Sequence, residues 1–329
     1  MKMRAWIFSG LIVTLTSCSH LPQQSISATH TDYQIHLRQA ERHQLFYNII
    51  ALHHNEAPYF MTATSLVSQL STETNFSAEV AIRPPIDDAK GGLGAAVTIK
   101  ETPTISYSPL VGKNYVKTLL TPISPSLILS LVETGWPIDT LLALTLRSIN
   151  GIPNSSSSTS FNDVMRILRQ LQKEDKLAIY AEINKADEQT RFVLQNAPGN
   201  AAAGALGLLT SILNMPEAAL TEPLIISFKP RPEHPNELAL VTRSMFDVLQ
   251  LLGSSLQPSS STTPLSFSIQ SAETPPPKSY VSTQFNGQYF WIAADDNTSQ
   301  LTFLLTQLLF ELSKEPPQLI FPLLNISKE

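Results

Sequence analysis

The stretch YVSTQFNGQYFWIAADDNTSQLTFLLTQLLFELS, residues 280–313, decides the fold class. Tyr280–Phe285 and Gln288–Ile292 are rich in aromatic and β-branched residues at period-two spacing, the mark of half-buried strands. Between them stands Asn286-Gly287, the pair favoured in a two-residue hairpin turn because both central positions need positive φ. The register that this turn imposes places Val281, Thr283, Phe290 and Ile292 on one face. Ser282, Gln284, Tyr289 and Trp291 then share the other. Asp295-Asp296-Asn297-Thr298 offers helix-capping side chains. Ser299 to Ser313 follows with Leu301, Leu304, Leu305, Leu308, Leu309 and Leu312 at helical spacing, a stripe expected to be buried. A hairpin feeding a helix with such a stripe predicts an α+β fold with a largely antiparallel sheet, and Gln318–Leu323 reads as a last strand.

The rest of the chain supports that class. A helix is expected from Thr31 or Asp32 to about Leu52, with Leu37, Leu45, Ile49 and Leu52 near helical spacing and Asn55 and Pro58 ending it. Tyr59–Leu70 reads as extended. Lys90-Gly91-Gly92-Leu93-Gly94-Ala95 reads as a turn or bulge before a strand at Ala96–Lys100, and Thr102-Pro103 as a turn into Thr104–Ser108. Gly112–Leu120 and Ser124–Val132 are short helices, and Gly135-Trp136-Pro137 is a turn. Leu141–Ile149 fits strand or helix equally. Residues 154–160, NSSSSTS, form a loop that could divide the body of residues 32–329 into two subdomains. Phe161–Lys173 is an amphipathic helix with Val164, Ile167, Leu168 and Leu171 on one face. Leu177–Ile183 and Thr190–Leu194 read as strands, Ala201–Leu213 as a helix, Leu224–Phe228 and Leu238–Thr242 as a strand pair, and Ser244–Leu252 as a helix. The alternation lacks a regular βαβ rhythm.

Composition narrows the function. An apolar content of 43% provides for a sizeable core, and 15% charged residues argue against a charge-driven disordered chain. Acidic residues, 27, outnumber the 22 basic ones, and no Lys/Arg cluster stands out. That argues against a nucleic-acid partner, whose recognition begins with phosphate neutralisation.

The one cysteine, Cys18, sits in VTLTSCSH at positions 13–20. Lys2 and Arg4 precede an apolar run from Ala5 to Leu15, which has signal-peptide length and is short of a bilayer span. Leu15-Thr16-Ser17-Cys18 then resembles the lipobox of bacterial lipoproteins. The resemblance implies cleavage after residue 17, a diacylglycerol on the Cys18 thiol and a third acyl chain on the new amine. Several chains anchor firmly where one binds marginally. Ser19, where an Asp would signal inner-membrane retention, implies an outer-membrane address facing the periplasm. Residues 18–31 read as a flexible tether. With Cys18 acylated, no thiol remains for a disulfide or for cysteine catalysis.

The chain also resembles a family of uncharacterised proteobacterial lipoproteins. The resemblance is carried by Asn48-Ile49-Ile50 with Pro58 and Phe60, and by the run from Thr102 to Leu110. Leu119-Leu120-Thr121-Pro122-Ile123, Gly135-Trp136-Pro137-Ile138-Asp139 and Ile149-Asn150-Gly151 continue it. Arg243-Ser244-Met245-Phe246 and the hairpin–helix around Gly287, Phe290, Asp295 and Thr302-Phe303 complete it. Several members have Arg-Tyr near the positions of His53-His54, and often a Lys near Gln300. The resemblance implies one architecture and an envelope address, and no activity.

Motifs that carry chemistry are sparse. His20, His30, His36, His43, His53 and His54 crowd the N-terminal region. His36 and His43 lie two helical turns apart, about 10 Å, too far to share one ion. Solvated or core-edge roles are therefore expected, with no metal and no cofactor. Gly91-Gly92-Leu93-Gly94 lacks the spacing of a phosphate loop and precedes a strand. Asp87-Asp88 and Asp295-Asp296-Asn297 do not supply the spaced oxygens of a calcium loop. Trp136, Tyr289 and Trp291 are candidate interaction residues, since aromatics concentrate at interfaces. These features point to a non-enzymatic outer-membrane lipoprotein that docks on or organises envelope proteins. Two alternatives stay open: a hydrolase with a dispersed triad built on His234, and a carrier of a small apolar ligand.

Overall fold

The computed structural model describes residues 23–80, 91–155, 157–184, 189–196, 200–216, 224–256 and 265–314. The expected strand at Gln318–Leu323 and the lipobox lie outside them. The fold is α+β, as expected. The chain divides into two compact units, one holding residues up to Pro58 and Pro122–Leu309, the other Tyr59–Thr121 and the chain from Phe310. Among the described residues no helix is long and apolar enough to cross a membrane.

The first unit begins with α1 (Gln23–His53). The helix starts eight residues before the expected position, so residues 23–31, read as tether, are helical. No Pro or Gly interrupts Gln23–Thr31, and a helix nucleated on its packed half elongates at little cost. Its packed half is Leu45, Phe46, Ile49 and Ile50, all 2% exposed or less. It ends at Asn55, φ 62°. The Glu56 amide donates to Ala51 O (2.9 Å) and the Asn55 amide to Leu52 O (3.1 Å), the paired bonds of a Schellman cap. Gly135, Asp175 and Asn214 end three further helices with positive φ and the same bond pair.

After α1, the first unit resumes with α3 (Pro125–Glu133), α4 (Ile138–Thr145), β3 (Leu146–Ile149) and β4 (Ile152–Pro153). The ambiguous run Leu141–Ile149 is thus both, helix up to Thr145 and strand beyond it. Next come α5 (Thr159–Lys173), β5 (Leu177–Asn184), β6 (Gln189–Asn196), α6 (Asn200–Ile212), β7 (Leu224–Ser227), β8 (Glu237–Thr242) and α7 (Met245–Ser254). The strands form a six-stranded sheet in the order β4-β3-β8-β7-β6-β5, antiparallel except for the parallel pair β7–β8. On α5, Phe161, Val164, Ile167, Leu168 and Leu171 are buried, the face that the periodicity predicted. Asn154 and Ser158, in the loop of residues 154–160, both bond to elements of the first unit. The Asn154 amide donates to Ala143 O and Leu146 O, both at 2.8 Å, and the Ser158 hydroxyl caps α5.

The second sheet, β10-β11-β9, comprises β9 (Gln270–Ala272), β10 (Ser279–Phe285) and β11 (Gln288–Ala293). Asn286 and Gly287 have φ of 48° and 84°, as the turn requires. Thr283 faces Phe290 and Ser282 faces Trp291, the predicted register. Val281, Phe285, Phe290 and Ile292 are buried on the predicted side. That side meets α1: Phe285 touches Tyr47 and stacks on His54. The leucine stripe of α8 (Asn297–Ser313) is rotated from the expected one. Thr302, Phe303, Leu305, Thr306, Leu309 and Phe310 are buried, while Leu304 and Leu312 are half exposed. Phe303 and Phe310, two turns apart, bury more surface than leucine and set the inward face. Phe303 packs edge-on to Phe46 of α1 (6.0 Å).

The second unit is a two-stranded antiparallel ribbon, β1 (Met61–Val80) with β2 (Gly91–Pro109), followed by α2 (Gly112–Tyr115) and a π-helical turn over Val116–Leu120. Gly91–Ala95 and Thr102-Pro103, both read as turns, lie within β2, with Pro103 opposite Ser68. A two-stranded ribbon consists only of edges, where proline is tolerated. Phe60 packs on Phe310 (4.5 Å).

Helix α7 crosses α1 at Gly253, where a Cβ would lie 3.0 Å from the Ile49 carbonyl oxygen. Gly253→Val is expected to lose about 1–3 kcal/mol of stability by overpacking, read by urea denaturation. An unchanged midpoint would show that the two helices do not depend on this approach.

Candidate functional site

The charged chemistry of the first unit gathers where β8 ends. Arg243 is buried, and its guanidinium donates to the carbonyls of Ala143 (2.8 Å), Leu144 (3.3 Å) and Asn154 (3.4 Å). Ala143 and Leu144 sit in the last turn of α4, where unpaired carbonyls and the helix dipole favour a cation. Burial lowers the Arg243 pKa to about 10, against the opposing pull of Asp247. It therefore stays charged at neutral pH. Next to it, the Ser244 hydroxyl accepts from the Asp247 amide, and the Asp247 carboxylate accepts from the Ser244 amide, a capping box that starts α7. Arg147 donates to the same carboxylate (2.6 Å). Desolvation pushes the Asp247 pKa up, but Arg147 and Ser244 outweigh it and hold it below the usual range.

Glu237 opens β8 and is 3% exposed. Its carboxylate accepts from the amides of Glu233 (2.6 Å) and His234 (2.9 Å), which pins the connection running back from β7 to its parallel neighbour. Desolvation raises its pKa, the two amides lower it, and the net shift is downward. His234 itself is exposed. Among the described residues its ring has no hydrogen-bond or ion-pair partner, so the cleft that a His234 triad needs is not assembled there.

Trp136 is half-buried in the turn from α3 to α4. Gln172 of α5 holds that turn from both sides: its amide donates to the Trp136 carbonyl (2.8 Å) and its oxygen accepts from the Ile138 amide (3.0 Å). Two open clefts, of about 400 and 360 Å³, lie near this bridge. One is lined by Asp139, Arg166, Arg169 and Lys173, the other by Glu133, Asp175, Leu177 and Ile179. In the first, Arg169 donates to Gln172 and faces Asp139 (3.5 Å), and Arg166 pairs with Asp163. Most of that cleft's charge is already compensated.

Tyr289 and Trp291 share the half-buried outer face of the small sheet, beside Ala272 and Gln270 of β9. They are not brought together with Trp136 in any described contact. His36 and His43 are exposed, and His54 stacks on Phe285 at the edge of the core. No group of three or more His, Cys, Asp or Glu among the described residues is placed to hold a metal. Cys18 lies outside the described residues.

The site residues that sequence reading missed are Arg243, Glu237 and Asn150. Asn150-Gly151 is a second Asn-Gly turn, φ 47° and 79°, joining β3 to β4. The Asn150 side chain accepts from the Ala239 amide (2.7 Å), so its signal was the dipeptide itself. The side-chain partners of Arg243 are distant in sequence, whereas the amides that bind Glu237 lie three and four residues away.

Comparison with family models, with curated proteins and with solved structures gives no match for this chain.

Two substitutions test the assignments. Arg243→Met is expected to cost about 3 kcal/mol, because the carbonyls that end α4 lose a charged donor. A loss near zero in urea titrations would remove Arg243 from that role. Glu237 has a depressed pKa in the folded state, so its stabilisation is present above the ordinary carboxylate range and is lost as pH falls through the folded pKa. Glu237→Gln should therefore be less stable than wild type by about 1.5 kcal/mol at neutral pH. The gap should close below about pH 4. A gap that widens with acid would contradict the sign.

Proposed function

We propose that this chain is a lipid-anchored protein of the outer membrane, facing the periplasm, whose body assembles with other envelope protein rather than turning over a substrate. The address is supported by Leu15-Thr16-Ser17-Cys18 after a basic and then apolar start, with Ser19 following. The assembling role is carried by one observation. Tyr59, Met61, Tyr107, Val111, Val116 and Leu120, large apolar residues of the second unit, are 38–59% exposed. Apolar surface concentrated in one part of a chain marks a contact surface. The first unit has Ile35, Tyr47, Leu208, Phe228 and Leu304, 37–60% exposed, spread over a much longer stretch of chain.

Intact-mass analysis of protein extracted from membranes, wild type beside Cys18→Ala, tests the address. The expected result is a triacylated chain beginning at Cys18, lost in the variant. An unmodified or merely cleaved wild-type chain would overturn the anchor. Recovery from mild detergent of a clean monomer, free of any protein partner, would overturn the assembling role.

A further inference from the structure

We propose that the β1–β2 ribbon is one hairpin of a transmembrane β-barrel that closes only when several copies of this chain assemble. One face of the ribbon meets lipid hydrocarbon and the other lines a water-filled lumen. The proposal deepens the function proposed above and rests on its membrane address.

The ribbon's length is the first observation. β1 has 20 residues and β2 has 19. Strands in globular proteins run about 3–10 residues, and an isolated two-stranded hairpin is marginal in water. The pairing is nonetheless continuous from Met61↔Pro109 to Val80↔Gly91, with one irregularity at Ala63/Ser65.

The chemistry of the two faces is the second. Thr72↔Ile99, Thr74↔Val97, Phe76↔Ala95, Ala78↔Leu93 and Val80↔Gly91 are alternate pairs and share one face. None of these residues is charged. The intervening pairs Ser71↔Lys100, Glu73↔Thr98, Asn75↔Ala96, Ser77↔Gly94 and Glu79↔Gly92 share the other face, with two carboxylates and an ammonium. Charge returns to the first face only at Glu101, opposite Leu70. Within the described residues the uncharged band therefore runs nine residues on each strand, Thr72 to Val80 and Gly91 to Ile99, roughly 30 Å along the strand. At a barrel tilt of about 40° it stands about 23 Å tall, against about 25 Å for the apolar band of outer-membrane barrels. Transmembrane strands need about 9–11 residues.

The edges are the third observation and name the occupant. In hydrocarbon every backbone amide and carbonyl must be paired within protein. Among the described residues no third strand lies beside β1 or β2. The complement to the outer edge of β1 is the outer edge of β2 from a second copy, repeated until the ring closes. Barrels of this kind have about eight strands or more, which takes roughly four copies at two strands each. The exposed apolar residues Tyr59, Met61, Tyr107, Val111, Val116 and Leu120, in the same unit, give neighbouring copies a surface to pack on.

The test uses the full lipidated chain, with carboxyfluorescein-loaded vesicles of phosphatidylethanolamine and phosphatidylglycerol as the probe. Wild type should form oligomers of four or more copies by native mass spectrometry and release the dye. Val97→Arg, in the uncharged band, should cut release by roughly thirtyfold or more. Its neighbour Thr98→Arg, on the polar face, should preserve release and shift single-channel selectivity toward anions. Because an arginine variant can fail to fold, the minimal changes Ala95→Cys and Ala96→Cys provide a second reading. In vesicles, a membrane-impermeant maleimide should label position 96 and spare position 95. A triacylated wild type that stays monomeric or releases no dye overturns the barrel and leaves the anchor standing. Equal effects of the two arginines, or equal labelling of the two cysteines, also overturn it. A monomer that captures a different envelope protein through the ribbon supports the docking function alone and overturns this proposal.

Discussion

The first unit depends on a buried cation that has helix carbonyls for partners instead of an ion pair at hydrogen-bond distance. Arg243 takes the last carbonyls of α4 and the carbonyl of Asn154 with its guanidinium. Its own amide donates to Thr145 O (2.7 Å), and its carbonyl accepts from the Ile123 amide (2.8 Å). One residue thus fixes where α4 stops, where β3 starts beside β8, and where the chain re-enters the unit at Pro122. The cost of desolvating a guanidinium is offset by the α4 dipole and three carbonyls, with the Asp247 charge nearby. The order then propagates. Ser244 and Asp247 start α7 by a capping box, α7 brings Gly253 against Ile49, and α1 so placed receives Phe285 of the small sheet and Phe303 of α8.

Much of this was legible in sequence where the determinant is local. The hairpin around Asn286-Gly287 was readable to the register, because turn chemistry and period-two alternation both act within a dozen residues. The α5 face was readable for the same reason. What failed was competition between residues of similar hydrophobicity. Six leucines suggested one face of α8, and Phe303 and Phe310 chose another. The early start of α1 failed differently: polar residues without a breaker follow whatever helix they are joined to, so Gln23–Thr31 carried no signal of their own. Of the site, the aromatic candidates could be named, but their separation into a turn held by Gln172 and a distant sheet face depends on tertiary pairing. The role of Arg243 was not legible because its partners are up to 100 residues away. That of Glu237, whose amide partners are only three and four residues off, was passed over in a loop read for His234 alone.

The ribbon was missed because its breakers were weighed singly. Gly91-Gly92-Leu93-Gly94 and Thr102-Pro103 each argue for a turn in a sheet that is closed on both sides. Among the described residues no third strand pairs with the ribbon, so within one chain the proline removes no donor that a neighbouring strand takes, and the glycines cost strand propensity without costing pairing. The alternation that should have outweighed them is diluted by threonine, serine and alanine. It becomes visible only when β1 and β2 are set in register and each face is read across both strands.

That register also exposes a contrast within the chain. The six-stranded sheet ends on one side in β4, two residues long and closed by Pro153, and the small sheet ends on one side in β9, three residues long. Such short or proline-bearing edge strands are how proteins prevent unwanted pairing. The ribbon has none of this protection over the stretch from Ser71 to Val80 and from Gly91 to Lys100, which holds no proline and no bulge. The charged residues that would deter association, Lys100, Glu73 and Glu79, lie there on one face only, and the opposite face is uncharged. The other two sheets each keep one longer edge strand, β5 and β10, of eight and seven residues, whereas the ribbon leaves both of its much longer strands open, with their unpaired backbone where a strand of a second copy would satisfy it.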